Sequence, residues 1–221
     1  MNRSLKIKIA LTILFLSLCF TARCAAVYLK QFMFDEDKAL DKWSTMVLNG
    51  KVDYLLMKYG SDGFVEAESQ GACSALYYRI GFQLKEYPIL SWKWRVNKFP
   101  DISRAATDLE KDDYAARVYV IFPFLTFSSS KFIEYVWAED LPEGTVMDSP
   151  SGKNVKMIVA RSGRERLGEW ISETHNVYED YIKAFGSKPG MGVGAVAIMC
   201  DADGTRSSAM ASFDEIFIEA M

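Results

Sequence analysis

The sequence predicts an all-β protein: a two-sheet antiparallel β-sandwich of jelly-roll, lectin-like type with one short helix near residues 177–185. Two observations predict this fold class. Short apolar segments recur between clusters of Gly, Asn, Asp and Ser, which is the pattern of antiparallel strands separated by turns. Only one segment carries apolar residues at helical spacing. Many short strands with a single helix favour a sandwich of two sheets.

The strands follow one another from residue 27 to the end of the chain. Asn49-Gly50, between two strand-like segments, predicts a β-hairpin, because Asn-Gly suits a tight type I′ turn. The segment 97–111 is polar and long for a connection in a compact domain, so we expect a functional loop there. The predicted strands are 27–34, 43–48, 51–58, 64–69, 74–84, 88–96, 114–122, 132–138, 155–161, 169–174 and two within 196–218, joined by an acidic turn.

The predicted helix has recognisable ends. Asn176 is a good N-cap, and Glu179 three residues later completes the spacing of a capping box. Apolar residues then recur at helical spacing, and Gly186 can take the left-handed conformation that ends a helix. We expect the apolar stripe of this helix to pack on a sheet.

The first 26 residues have the pattern of a signal peptide. Arg3, Lys6 and Lys8 form a basic region, and residues 9–20 are an uncharged run, shorter than the ~20 apolar residues of a membrane-spanning helix. Small residues follow, so cleavage is expected near Ala26. We therefore expect a signal peptide at 1–26, a single domain at 27–221, no membrane span after cleavage, and a periplasmic or secreted location. An uncleaved anchor is the alternative.

The charge and the cysteines limit the possible partners. Removal of residues 1–26 would take away four basic residues and no acidic one, so the net charge would fall from −3 to −7. A chain this acidic, with no basic run, is a poor candidate for binding nucleic acid. Cys73 and Cys200 would remain, either as a disulfide or as buried thiols. With one histidine and no C-x-x-C motif, a zinc site is not expected.

Two arginines stand among apolar strand residues. Arg95 and Arg117 are therefore expected in partly buried environments, where the planar guanidinium suits carboxylates or sugar hydroxyls. The alternative is internal pairing with Asp112, Asp113 or Glu134, because buried charges are usually paired.

Carboxylates near the chain ends and in the last turn raise the possibility of calcium. The segment 201–205 begins like a calcium loop, but its glycine and its twelfth residue do not fit that pattern, and a turn held by Asx hydrogen bonds is the alternative. Asp35, Glu36 and Asp214 could share a structural calcium ion between the first and last strands. The alternative for these three residues is a solvated strand edge.

Aromatic residues admit two interpretations. Trp92, Trp94 and Trp137 could stack on sugar rings, but tryptophans on apolar strands more often belong to the core. Trp43 and Trp170 are expected in the core.

Signals for an enzyme are weak. His175 is the only histidine and stands beside the helix cap, which argues against a Ser-His-Asp triad. A glycosidase needs two carboxylates as acid and base or nucleophile. The carboxylates that could form such a pair are Asp112, Asp113, Glu134 and Asp201. The basic segment 161–166 loosely suggests a lyase, with a solvated loop as the alternative.

The chain resembles a bacterial family known as domain of unknown function 3047. The matching motifs are YPILSWKWRV, DDYAARVYVIFP, YVWAED, VKMIVARSG, GEWISETHNVYEDYIKAFG and VAIMCDADGT…FDEIFI. The resemblance implies an exported single-domain protein with no established activity. The polar positions that it implies for ligand binding are Arg95, Asp112, Asp113, Arg117, Trp137, Arg161, Asp201, Asp203 and Thr205. Cys200 and Gly204 depart from the family pattern, where threonine and asparagine are expected.

Three functions are consistent with the sequence. The leading hypothesis is an exported, non-catalytic protein that binds a glycan or cell-envelope saccharide. The second is a polysaccharide-cleaving enzyme, a lyase or hydrolase, that uses Asp112 or Asp113 with Arg117. The third is a structural envelope protein whose charged groups serve only internal pairing. No cofactor is expected apart from the possible structural calcium.

Overall fold

The computed structural model describes residues 26–221, so the predicted signal peptide at 1–26 lies almost entirely outside the described residues. The described chain contains thirteen strands and one α-helix. The strands are β1 Tyr28–Phe32, β2 Ser44–Asn49, β3 Asp53–Tyr59, β4 Asp62–Gln70, β5 Cys73–Phe82, β6 Ile89–Lys98, β7 Arg117–Phe122, β8 Lys131–Ala138, β9 Val146–Ser149, β10 Gly152–Ser162, β11 Ile171–Asn176, β12 Val193–Asp201 and β13 Ser208–Glu219; the helix is α1 Val177–Phe185.

The strands form two sheets that pack face to face. The six-stranded sheet has the order β11-β6-β13-β4-β3, with β1 pairing along the last part of β13. The seven-stranded sheet has the order β2-β5-β12-β7-β8-β10-β9. Because side chains alternate along a strand, each sheet presents an apolar face to the other; Trp92 and Trp94 of β6 and Val118 and Val120 of β7 are buried in one core. The prediction of an all-β, two-sheet protein is confirmed.

One pair of strands departs from the antiparallel prediction. β8 and β10 run parallel, with Phe132 opposite Val155 and Tyr135 opposite Ile158. The chain leaves β8, forms the outer strand β9 first, and returns along β10 between the two. The returning strand therefore has the direction of β8, which makes this pair the parallel exception in an otherwise antiparallel fold.

The Asn-Gly hairpin does not form. Gly50 has a positive φ of 73°, as a turn glycine would, but β2 pairs with β5 in one sheet and β3 pairs with β4 in the other. The turn carries the chain across the sandwich and buries Val52 completely. The last two strands are also in different sheets, so residues 202–207 connect the sheets instead of closing a hairpin.

Connections between the sheets meet at one end of the sandwich, which we call the crossover end. Asn49 Nδ2 donates a hydrogen bond to Asp203 Oδ2 at 2.8 Å. Ser207 accepts from the backbone N–H of Gly71 at its carbonyl oxygen and from that of Asp101 at Oγ. The connections joined in this way are 50–52, 71–72, 99–116 and 202–207.

Four of the five tryptophans belong to the core. Trp92, Trp94 and Trp137 are at most 1% exposed, and Trp43 is 7% exposed, so these four belong to the core. Trp170 is 36% exposed, so its prediction as a core residue is wrong. It precedes β11, where Ile171 faces inward, and alternation turns Trp170 to the outer side.

The helix forms where the sequence predicts it. Asn176 Oδ1 accepts from the N–H of Glu179 at 3.2 Å, and Gly186 ends the helix with φ 67°. Tyr181 is buried against the core, as expected from the apolar stripe. Within residues 26–221, no helix has the length and apolar character that crossing a bilayer requires.

Candidate functional site

Arg117 organises a buried group of charges at the crossover end, which we call the Arg117 cluster. Because Val118 faces the core, alternation turns Arg117 to the outer face of the seven-stranded sheet. Its Nε and Nη2 donate to the two carboxylate oxygens of Asp201 at 3.2 and 2.8 Å, and Nη1 donates to Glu134 Oε2 at 3.0 Å. Asp112 accepts from the same guanidinium at Oδ1 and at its carbonyl oxygen. All four side chains are almost fully buried.

The cluster contains more carboxylates than cations. The pKa of Asp201 is raised to about 7: burial is the largest cause and the charges of Asp113 and Asp112 add to it, whereas Arg117 opposes the shift. Burial also raises the pKa of Glu134, and Glu134 Oε1 has no hydrogen-bond partner among the described residues. A buried carboxylate oxygen without a hydrogen bond is costly, most of all when the group is charged. We therefore expect the cluster to hold a proton near neutral pH.

Asp113 fastens the long loop 99–116 to the turn 202–207. Its Oδ2 accepts from the N–H and the hydroxyl of Thr205 at 2.7 and 2.6 Å, and its Oδ1 accepts from Gly204 N at 3.2 Å. A side chain at position 204 would lie 2.7 Å from the carbonyl oxygen of Glu110. Glycine at this position, where the family resemblance implies asparagine, lets the two backbones approach this closely.

Asp112 fastens the same loop to the turn between β9 and β10. Its Oδ2 accepts from the hydroxyls of Ser149 at 3.2 Å and Ser151 at 2.9 Å. Both adjacent aspartates that the sequence marks as candidate ligand-binding residues are therefore largely occupied by protein donors.

A thiol and two carboxylates lie together beside the cluster. In the described part of the chain, Cys73 Sγ and carboxylate oxygens of Asp201 and Asp203 are within 4.8 Å of one another. Burial raises the pKa of the Cys73 thiol, with Asp201 and Asp203 adding to the shift, and metals bind the thiolate. Arg117 and Asn49 already donate hydrogen bonds to these two carboxylates. The group therefore serves as a hydrogen-bonded end of the sheet and is not assigned as a metal site.

The two cysteines do not form the disulfide that was one alternative. Cys200 faces the core, and both cysteines are free.

A cleft of about 460 Å³ opens above the aspartates of the long loop. Its walls combine apolar side chains with carboxylates. The apolar lining includes Phe99, Ile102, Tyr114, Leu141, Met147 and Met157. The acidic lining consists of Asp108, Asp112, Asp113, Glu139, Asp140 and Asp148. Lys111 is the basic residue of the lining, and its Nζ pairs with Asp108 at 3.2 Å.

Two of the predicted ligand-binding residues lie elsewhere. Trp137 is completely buried, and its Nε1 donates to the carbonyl oxygen of Gly163 at 3.0 Å. Arg161 contacts Glu173 Oε1 at 2.9 Å, and Trp94 Nε1 donates to the same oxygen. Burial raises the pKa of Glu173, and the charge of Arg161 opposes that shift. These contacts tie β10 and β11 to the core.

Arg95 lies on the outer face of the six-stranded sheet, apart from the Arg117 cluster. Its guanidinium is packed against the rings of Phe64 and Trp170. Sequence reasoning missed Trp170 and Phe64 as surface aromatics. The inward-facing Ile171 next to Trp170 was the available signal, because neighbouring strand residues face opposite sides.

The predicted calcium ligands are only partly brought together. Burial raises the pKa of Asp214 to about 7, and the charges of Glu215 and Asp35 add to this shift, so Asp35 lies near Asp214. Glu36 is exposed to solvent. Lys58 Nζ donates to the carbonyl oxygens of Phe34 and Asp35, which places an ammonium on oxygens that a calcium ion would need. A calcium ion at the chain ends stays a prediction.

A family model described as "Protein of unknown function (DUF3047)" matches residues 41–217. The chain belongs to this family. The resemblance predicted from the strand motifs is thus confirmed. No curated protein shows significant sequence similarity to the chain.

Several solved structures have a similar shape at low sequence identity. The K1 cleaved adhesin domain of Lys-gingipain from Porphyromonas gingivalis is 15% identical, with 87% of this chain and 98% of that chain covered and a TM-score of 0.41. The CBM22-1 xylan-binding domain from Paenibacillus barcinonensis is 10% identical, with 89% and 96% covered and a TM-score of 0.45. A family 30 carbohydrate-binding module from Clostridium thermocellum is 8% identical, with 81% and 91% covered and a TM-score of 0.45. Likeness at this level carries no conclusion about a ligand of this protein.

Proposed function

We propose that this protein is an exported, non-catalytic saccharide-binding protein whose ligand occupies the cleft at the crossover end. The observation that carries the proposal is the composition of that cleft. Its volume of about 460 Å³ lies within the ~300–1,000 Å³ of small-molecule sites, which combine apolar walls with a few polar groups. The pattern of residues 1–26 supports export.

The lining indicates which saccharides fit. Carboxylate oxygens accept hydrogen bonds from hydroxyl groups, and the partly exposed side chains of Tyr114, Leu141 and Met147 offer surfaces for the C–H faces of a sugar. Six carboxylates and one lysine line the cleft. Asp112 and Asp113 are buried and occupied by protein donors, so the other four acids are the ones that can meet a ligand. Three of these four also pair with cations of the protein: Asp108 with Lys111, Glu139 with Arg164 and Asp148 with Lys156. The cleft therefore favours neutral or amino sugars over anionic ones.

The contacts of the candidate catalytic residues favour binding over cleavage. A hydrolase or lyase would need Asp112 or Asp113 to reach a substrate, and both accept hydrogen bonds from Ser or Thr groups of the protein. Arg117 directs its donors to protein oxygens. The arrangement serves to hold the loop that forms one wall of the cleft.

The proposal is tested by blocking the cleft with a larger side chain. The mature protein is applied to an array of neutral, amino and acidic glycans. The affinity of each glycan that binds is then measured by calorimetry for the wild type, Met147→Trp and Met33→Trp. The two methionines are 39% and 40% exposed, and only Met147 lines the cleft. We expect Met147→Trp to abolish binding of a neutral or amino sugar and Met33→Trp to retain it. Unchanged affinity in Met147→Trp, or no neutral or amino hit, would contradict the proposal.

A further inference from the structure

A second polar surface lies on the outer face of the six-stranded sheet. We call it the Arg95 face, and it consists of Arg95, Phe64, Trp170, Ser212 and Glu66. The Arg95 guanidinium carbon is 4.8 Å from the ring centroid of Trp170 and 5.2 Å from that of Phe64. The two rings meet edge to face at 5.5 Å. This packing fixes the guanidinium in one place on the sheet.

Arg95 differs from the other arginines that are not exposed. Arg117 and Arg161 each form ion pairs with carboxylates. Arg95 has no carboxylate within ion-pair distance among residues 26–221; its Nη2 donates to Ser212 Oγ at 3.1 Å, and its Nε is buried without a partner. A partly desolvated cation without an anion is an unusual arrangement, and an anionic ligand would complete it.

The strand register places an acceptor across the face. Arg95 is opposite Ser212, and Ser212 is opposite Glu66 on the next strand. Since neighbouring strands are ~4.8 Å apart, the Cα atoms of Arg95 and Glu66 are roughly 10 Å apart in the same row. The Arg95 guanidinium reaches towards the strand of Glu66, where it packs on Phe64. A ligand over this row meets the Arg95 cation and, on the neighbouring strand, the Glu66 carboxylate as a hydrogen-bond acceptor, beside the partly exposed indole of Trp170.

We infer that the Arg95 face binds a sugar acid, a saccharide with one carboxylate on an otherwise uncharged ring. The planar guanidinium would hold the carboxylate through paired N–H donors. The indole of Trp170 would cover the apolar face of the ring, and Glu66 would accept from a hydroxyl. Glu66 also disfavours a second anionic group, so a densely charged polyanion fits poorly. This site is separate from the cleft.

The test compares sugars that differ only in the carboxylate. Cellobiouronic acid is titrated against cellobiose, and methyl galacturonide against methyl galactoside, by calorimetry at low salt. We expect at least one acid to bind about tenfold or more tightly than its neutral partner, because hydrogen bonds to charged groups are stronger. Fluorescence should change with binding, since Trp170 is the exposed tryptophan and the other four are at most 7% exposed.

The variants separate recognition by Arg95 from charge alone. Arg95→Gln should lose the preference for the acid, and Arg95→Lys should lose most of it while keeping the charge and the fold. Arg79→Gln is the matched control, because the Arg79 guanidinium also lies over an aromatic ring, that of Tyr77, and is exposed on the other sheet. Equal affinity for acid and neutral sugar in both pairs, or equal effects of Arg95→Gln and Arg79→Gln, would overturn the inference. Met147→Trp should leave acid binding unchanged, so failure at the cleft is distinguishable.

Discussion

At the scale of single residues, Arg117 is the centre of a buried group of ion pairs. Its guanidinium pairs with three buried carboxylates from three separate segments of the chain. One of them, Asp201, is 84 residues from Arg117 in the sequence. Burial of charges costs free energy that mutual attraction offsets only when the geometry is good. Removing one partner is therefore more damaging than replacing the whole group with apolar residues.

We expect Arg117→Ala to destabilise the protein strongly. Loss of the guanidinium leaves Asp201 and Glu134 buried without a cation, which costs ~3–5 kcal/mol in comparable pairs. Urea unfolding of the mature protein measures the change, with Arg79→Ala, at an exposed position, as the control. A midpoint like that of the wild type would contradict the burial of this cluster.

The raised pKa of Asp201 predicts how stability varies with pH. Its folded-state pKa of about 7 exceeds the ordinary value of ~3.9, so between these values the folded state binds a proton that the unfolded chain has released. The free energy of unfolding should therefore fall as pH rises from about 4 to about 7, by at most ~1.4 kcal/mol per pH unit for one proton. Asp214 contributes in the same direction.

Unfolding free energies of wild type and Asp201→Asn between pH 5 and 7 test this expectation. The variant should show a shallower slope, whatever its absolute stability, and Asp53→Asn, at an exposed position of β3, is the control. Parallel slopes for wild type and Asp201→Asn would show that Asp201 is ionised throughout this range.

At the scale of elements, the connections between the sheets shape the proposed binding cleft as much as the strands do. Asp112 and Asp113 fasten the loop 99–116 to two other turns, and this loop supplies one wall of the cleft. The shape of the cleft therefore depends on the close approach of the loop 99–116 to the turn 202–207.

Gly204→Ala should disturb this approach. The added Cβ would lie 2.7 Å from Glu110 O and 2.9 Å from Glu110 Cα, and a backbone neighbour cannot yield cheaply. We expect a loss of ~1–3 kcal/mol, as for other overpacked sites, and faster proteolysis within 99–116. Gly190→Ala, where a Cβ meets nothing within 4 Å, should change stability by less than ~0.5 kcal/mol. Equal stability and equal protection of the loop in both variants would contradict the close packing.

At the scale of the whole molecule, the two proposed sites differ in charge. The lining of the cleft contains more carboxylates than cations, whereas the Arg95 face presents a cation that forms no ion pair within residues 26–221. They lie on different parts of the sandwich, so one protein could distinguish uncharged from acidic sugars through separate surfaces.

Export is the whole-molecule prediction that the described residues do not address. The basic region, apolar run and small residues occur in the order of a signal peptide, so protein recovered from the periplasm should begin between Ala25 and Tyr28. Mass spectrometry of the intact chain measures this. A membrane-bound form that retains Met1 would favour the uncleaved anchor.

Local sequence determined the helix and the strands of this protein except β9, which no predicted strand covers. Alternation of apolar residues and the Asn176 and Gly186 caps act over a few neighbours, so they could be recognised without a structure. The partners of each strand were decided by tertiary structure: Asn49-Gly50 suits a hairpin, yet burial of Val52 between the sheets sends β2 and β3 to different sheets. The same is true of the sites. Sequence singled out Arg117, Asp112 and Asp201, but only packing decided that these three charges pair with one another. Packing likewise left Arg95, beside the exposed Trp170, without an ion pair in the described part of the chain. The reason is that charge pairing depends on distance in space and not along the chain.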